Sequence, residues 1–247
     1  MRTPRLYQPV ALQTGDIIEL DAQATSHVTR VLRLKQNDSV IVFNGEGGEY
    51  SGVLETIAKR IARVRLVEYR QTDNESPLSI QLFQGISRGE RMDFTLQKSV
   101  ELGVHDIYPV YTQYSAVHLE GERAMKKRHH WQGVVNSACE QCGRNRVPRT
   151  HEPTTLKERM NALTPGPGDI SIVLDHRAER AISGIDKPVS SKVSLVVGPE
   201  GGLSEEELDW LTELGCIGVR IGPRVLRTET AALTAIALLQ SQWGDFV

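Results

Sequence analysis

Val193-Ser-Leu-Val-Val-Gly-Pro-Glu-Gly-Gly-Leu-Ser-Glu-Glu-Glu207 decides how this 247-residue chain is read. Residues 193–197 form a buried strand in this reading, running straight into Gly198-Pro199-Glu200-Gly201-Gly202. A helix follows from Ser204, and Glu207, three residues on, completes a capping box. Open α/β sheets bind their ligands at the carboxyl ends of such strands. Glycines at that point let backbone N–H and C=O groups approach a flat ligand closely. The G-x-G-x-x-G order of a dinucleotide site is absent, as is the Gly-Lys-Ser/Thr of a phosphate loop. Glu205, Glu206, Glu207 and Asp209 in the next helix also oppose a phosphate. A neutral or cationic ligand fits better.

Downstream, Val219-Arg-Ile-Gly-Pro-Arg-Val-Leu-Arg-Thr-Glu-Thr-Ala-Ala232 repeats the device: a strand, a loop around Gly222-Pro223, then an Ala/Leu-rich helix from about residue 230. That helix carries almost no charge before Asp245, so it is expected to be buried on most of its circumference. Arg224, Arg227 and Glu229 crowd its entrance, an unusual set of charges beside a buried helix.

Upstream, strands fit residues 78–84, 106–112 and 170–174, with a further one at 218–221. Helices fit 90–102, 123–143, 155–163, 204–214 and 230–243. Alternation of this kind implies a mainly parallel sheet covered on both faces. In the helix at 123–143, Trp131, Val134, Val135, Ala138 and Cys142 make one apolar stripe. Ser137, Glu140, Gln141 and Arg144 fall on another face, spaced three and four apart. That face suits a polar substrate or a subunit contact, and equally an ordinary solvated surface.

Residues 1–72 read differently, as short strands at 16–20, 39–44, 49–57 and 60–69 with one helical piece at 24–35. Asn44-Gly-Glu-Gly-Gly48 is read as a hairpin loop, since no helix follows to make it a phosphate cradle. Arg63 and Arg65 share one strand face, opposite Ala62, Val64 and Leu66. With Arg2, Arg5, Arg30 and Arg33 they make a basic set suited to RNA phosphates, or a plain solvated surface. The polar stretch 70–77, ending in Pro77, reads as the linker, so domains are expected at 1–72 and 73–247.

Composition narrows the rest. Hydrophobic residues are 39% and charged residues 24%, with a net charge of −2. The chain is therefore no global polycation, and nucleic-acid contacts must be local. No apolar run reaches the roughly 18 residues of a bilayer span. The start lacks a signal peptide's apolar core, so no membrane role and a cytoplasmic location are expected. Cys139, Cys142 and Cys216 are too few for a disulfide framework, and Cys139-Glu-Gln-Cys142 without a second pair reads as helix filling, with no metal.

The order of these motifs resembles the SPOUT class of methyltransferases. Gly198–Gly202, then Ile221-Gly-Pro-Arg-Val-Leu-Arg-Thr-Glu-Thr-Ala231, with Glu140-Gln-Cys-Gly-Arg144 and Leu102-Gly-Val104 upstream, is similar to the ribosomal RNA small subunit methyltransferase E family. His27-Val-Thr-Arg-Val-Leu-Arg33 and Phe43-Asn-Gly-Glu-Gly-Gly-Glu-Tyr50 look like that family's PUA-like domain. The resemblance covers essentially the whole chain. It implies a small PUA-like β-barrel RNA-binding domain before an α/β domain knotted as a trefoil, a homodimer, S-adenosylmethionine as cofactor, and methylation of N3 of a uridine in small-subunit (16S) ribosomal RNA. Leu174, Gly198, Pro199, Glu200, Gly201, Gly202, Ile221, Gly222 and Leu226 would then hold the cofactor, with Thr230 and Ala231 as the helical wall. Glu140 and Glu229 are candidates for a general base, and Arg144 and Arg227 for stabilising negative charge on the pyrimidine oxygens. The competing reading is a non-catalytic RNA-binding factor of ribosome assembly, which leaves both glycine loops idle.

Overall fold

In the computed structural model, residues 3–58 and 60–246 are described; Arg2 lies outside them. The chain forms two compact units, Met1–Glu75 with Asn136–Val147, and Ser76–Val135 with Pro148–Val247.

The first unit is a five-stranded sheet of β1 (Arg5–Tyr7), β2 (Ile17–Glu19), β3 (Ser39–Phe43), β4 (Glu49–Ala58) and β5 (Ile61–Arg70), in the order β1-β3-β4-β5-β2. β3 and β4 pair antiparallel across the glycine-rich loop, so that loop is the expected hairpin. Over residues 61–66 of β5 the alternation is strict: Ala62, Val64 and Leu66 are buried with Leu6, Val42 and Leu54, while Arg63 and Arg65 face out. β1 was not legible, because three residues show no period; it pairs in parallel with β3. The helical piece also differs from the expected 24–35. α1 (Ala22–Ser26) is capped by Asp21, then passes into a π-helical turn, His27–Val31. Arg33, at φ 53°, turns the chain away and ends it.

The second unit is a parallel sheet of β6 (Ser79–Gly85), β7 (Val104–Tyr111), β8 (Arg149–Thr150), β9 (Thr154–Thr155), β10 (Ile170–Leu174), β11 (Lys192–Val197) and β12 (Ile217–Val219). Their order is β12-β10-β11-β6-β7-β8, with β9 also on β7. Helices α2 (Glu90–Glu101), α3 (Gly121–Cys142), α4 (Leu156–Asn161), α5 (Glu205–Glu213) and α6 (Thr228–Trp243) connect them. The expected capping box is present at α5, where the Ser204 hydroxyl accepts the Glu207 N–H and the Glu207 carboxylate accepts the Ser204 N–H.

Two helix readings need correction. α3 stops at Cys142, and Gly143 has φ 95°, so Arg144 is not on a helix face with Ser137, Glu140 and Gln141. α6 starts two residues early, at Thr228. It is also less enclosed than its composition suggests: Ala232, Ala235, Ile236 and Leu239 are buried, but Leu238 is exposed.

Candidate active site

The carboxyl ends of β10, β11 and β12 open onto a cavity of about 470 Å³. That size is typical of a cofactor or small-molecule site. Three loops build it. One, after β10, brings Leu174 and Asp175; the second is Gly198–Leu203; the third runs from Arg220 through Arg227 into α6. Of the residues expected to hold a cofactor, Leu174, Gly198, Pro199, Glu200, Gly201, Gly202, Ile221, Gly222, Leu226 and Ala231 all line it. Thr230 is exposed and Thr228, buried, stands in the wall instead.

Close backbone packing explains the glycines. A Cβ on Gly198 would come within 2.8 Å of the Gly202 carbonyl carbon, and one on Gly201 within 2.7 Å of the Tyr114 Cβ. Gly202 and Gly222, at φ 73° and 134°, occupy backbone conformations that side chains disfavour. Gly85, at the end of β6, leaves room for the loop as well: a Cβ there would meet the Pro199 nitrogen at 2.4 Å.

Side chains then fix the loops. The Thr228 hydroxyl donates to the Gly198 carbonyl at 2.6 Å and accepts from Gln84 Nε2 at 3.0 Å. Glu200 accepts from the Arg88 N–H and from Arg91 Nη1, both at 3.0 Å, at the start of α2. Burial raises the Glu200 pKa, but the Arg88 N–H and the Arg91 guanidinium outweigh it and hold the carboxyl below its ordinary value. Gln84, Gly85, Thr228 and Arg91 were missed in the sequence reading. A buried Gln before a strand-end glycine, and a Thr in the first turn of an apolar helix, were the available signals.

Arg227 and Glu229 both line the cavity. Arg227 holds the N-cap position of α6 without a side-chain cap, and is exposed. Glu229, in the first turn, is favoured by the helix dipole. Its Oε2 is buried with no hydrogen-bond partner among the described residues. The walls combine backbone groups with Asp175, Glu200 and Glu229 and with Arg91, Arg177, Arg220, Arg224 and Arg227, so they offer acceptors for the ammonium and cations for the carboxylate of S-adenosylmethionine. Among the described residues no group of three or more His, Cys, Asp or Glu is placed to hold a metal.

Glu140 and Arg144 belong to the first unit. Glu140 accepts the Tyr7 N–H at 2.9 Å; burial pushes its pKa up, against the pull of that hydrogen bond. Arg144 is buried and ion-paired with Glu75, Nε lying 3.1 Å from both carboxylate oxygens. Arg5, expected on a basic surface, is instead turned inward onto Glu49 and Asn145, with its guanidinium over the Phe43 ring. Arg30, Arg33, Arg63 and Arg65 are exposed, the last two paired with Glu19 and Glu55. Burial drives the Cys139 thiol up to about 12, which makes it inert rather than a redox centre.

Known proteins match this arrangement throughout. The model of an RNA methyltransferase domain matches residues 74–240, and that of an RNA methyltransferase PUA domain residues 20–67. The chain is 34% identical to ribosomal RNA small subunit methyltransferase E of Buchnera aphidicola from Schizaphis graminum, over 99% of this chain and 98% of that one. The Bacillus subtilis enzyme of the same name is 28% identical over 94% and 92%. Among solved structures, a Legionella pneumophila methyltransferase with bound S-adenosylmethionine superposes with a TM-score of 0.95 at 38% identity, covering all of both chains. The Neisseria gonorrhoeae ribosomal RNA small subunit methyltransferase E bound to S-adenosylmethionine gives 0.92 at 39%, again over both whole chains. A PUA-like domain in front of a parallel-sheet methyltransferase domain, with its cleft at the strand ends, thus has whole-length counterparts, and the chain belongs to the ribosomal RNA small subunit methyltransferase E family.

Proposed function

We propose that the protein transfers a methyl group from S-adenosylmethionine to N3 of a uridine in small-subunit ribosomal RNA. The observation that carries this reading is the cleft at the ends of β10, β11 and β12, walled by backbone-rich loops and by Arg227 and Glu229. Two relatives of near 40% identity were solved with that cofactor.

Bound S-adenosylmethionine supplies an already activated methyl. What is left to the chain is to orient the two partners and to manage one proton. Uridine N3 is protonated at neutral pH and a poor nucleophile until that proton leaves. Glu229, a carboxylate in the wall of the cleft, is assigned as its acceptor. Arg227 is assigned to the negative charge that spreads onto O2 and O4. Arg144 is engaged with Glu75, so the same role suits it less. Arg30, Arg33, Arg63 and Arg65 are assigned to RNA phosphates, a sequence-independent hold.

Two further features belong to this reading. The trefoil knot of the catalytic domain rests on the family resemblance and is an exception to the rule against threaded chains. Leu233, Thr234, Ala237 and Leu238 leave one face of α6 uncharged and partly exposed, which supports a homodimer. No helix among the described residues is long and apolar enough to cross a membrane, and the cytoplasm is the proposed compartment.

The test is transfer of labelled methyl to small ribosomal subunits that lack the modification, followed by digestion to nucleosides. Label in N3-methyluridine is expected. Label in another nucleoside would overturn the position. Saturable RNA binding without any transfer would favour the non-catalytic assembly factor.

A further inference from the structure

A second cavity, of about 780 Å³, is built entirely from the first unit and shares no residue with the cleft described above. β1, α1 with the π turn after it, and the last turns of α3 supply its walls. Pro4, Leu32 and Leu34, each half-buried above the β-domain core residues Leu6 and Ala24, give it an apolar floor. Tyr7, Asp21, His27, Asn136, Glu140 and Gln141 bring polar groups to one place.

The acids in these walls are not equivalent. Asp21 caps α1 through the Ala24 N–H at 2.7 Å and also accepts from Gln8. Asp38 accepts the Lys35 N–H at 2.7 Å. Glu140 makes one hydrogen bond, from the Tyr7 N–H, and among the described residues no cation lies within ion-pair distance of it. A carboxylate offers about four acceptor positions, so most of its capacity is unused. Arg5, the cation in the wall, is already held by Glu49.

These facts select the ligand. A phosphate would meet three carboxylates and no uncommitted arginine. A bare metal ion needs several oxygens at once, and no such group exists among the described residues. A flat ring on an apolar floor, with N–H donors on one edge, satisfies both the floor and Glu140. Single-stranded RNA presents such rings splayed from the stack. Guanine alone among the common bases directs two parallel donors, N1–H and N2–H, at a single carboxylate. Exposed Arg30 and Arg33, on and just past the π turn, suit the flanking phosphates.

We propose that this cavity is a recognition site for an unpaired guanine of the RNA substrate, whose Watson–Crick edge is read by the Glu140 carboxylate. The proposal rests on the RNA-methyltransferase reading above and deepens it, since it names a base that the first unit holds while the cleft does the chemistry.

The experiment is photo-crosslinking of the full-length protein with 6-thioguanosine 5′-monophosphate, with peptides mapped by mass spectrometry. Crosslinks are expected in the peptides carrying Tyr7, His27 or Asn136, competed by GMP and unaffected by S-adenosylmethionine. Glu140→Gln should weaken GMP competition roughly tenfold or more, as expected for loss of a two-pronged base contact. Ser137→Trp, which starts from an exposed position, should fill the cavity and abolish the crosslink while the protein stays folded. Equal competition by AMP, CMP or UMP would overturn the assignment to guanine. Crosslinks confined to residues 198–227, or none, would overturn the site. Cofactor binding and methyl transfer are measured on the same preparation, so failure of the enzymatic reading is seen separately.

Discussion

The hydroxyl of Thr228 donates to the carbonyl of Gly198 across 2.6 Å, tying the first residue of α6 to the end of β11. The same oxygen accepts from Gln84, which is fully buried. Thr228→Val therefore removes the tie and leaves one N–H of the Gln84 amide without its acceptor, the amide keeping its bond to the Gly85 carbonyl. A loss of about 1–3 kcal/mol is expected by denaturant unfolding, together with weaker S-adenosylmethionine binding. Thr228→Ser keeps the hydroxyl and should lose much less. If the valine variant unfolds and binds like the parent, the tie holds nothing together.

Glycine packing gives a second expectation. Gly85→Ala places a methyl against the Pro199 nitrogen, so the Gly198–Gly202 loop must move. Gly201→Val pushes on Tyr114, and Gly222→Val must adopt a disfavoured backbone. All three should lose cofactor affinity by titration calorimetry, with no added metal needed for the parent to bind. Unchanged affinity in every one would remove these loops from the site.

Chemistry is separable from binding at Arg227 and Glu229. Single-turnover rates at saturating RNA should fall about a hundredfold or more in Arg227→Ala, with cofactor affinity kept. Arg227→Lys should recover part of the rate, and higher pH should help both, because free uridine then ionises in bulk. Glu229→Gln should recover nothing of a base's function, yet respond to high pH. Wild-type turnover in all three would make these residues structural.

RNA affinity should depend on the outward face of β5. Arg63→Ala with Arg65→Ala should weaken binding and flatten its salt dependence by roughly one to two units of slope. Their pairing with Glu19 and Glu55 is exposed and offsets little of this. Cofactor affinity should not change. Normal RNA binding by the double variant would leave this face an ordinary solvated surface.

Stability should carry the mark of Glu140. Its carboxyl is pushed above the ordinary value of 4.5, first by burial. A carboxyl raised on folding favours the protonated state in the native protein. Its contribution is thus present at low pH and lost as pH rises through the raised value. Glu140→Gln, which cannot ionise, should gain stability relative to the parent between pH 4 and pH 7. A difference that stays flat over that range would show that Glu140 titrates as it does in the unfolded chain.

Local chemistry made much of this protein legible in its sequence. The burial alternation of β5, the capping box joining Ser204 to Glu207 and the glycines after β11 are all written within a few residues of one another. Each follows from side-chain period, capping or backbone sterics, which neighbours along the chain determine. The cleft was legible for the same reason, because its loops directly follow recognisable strands. What the sequence could not show are meetings between distant segments. β1 has only three residues and is a strand because β3 accepts it. Arg144 reads as a polar helix residue, yet Gly143 ends α3 before it and Glu75, 69 positions away, draws it into the interior. Arg5 reads as surface charge and is buried on Glu49 and on Asn145, 140 positions on. Such pairs cost desolvation and are stable only when the whole fold supplies the partner. No periodicity encodes that partner, so the tertiary structure alone decided which arginines remain on the surface and which side chains wall the second cavity.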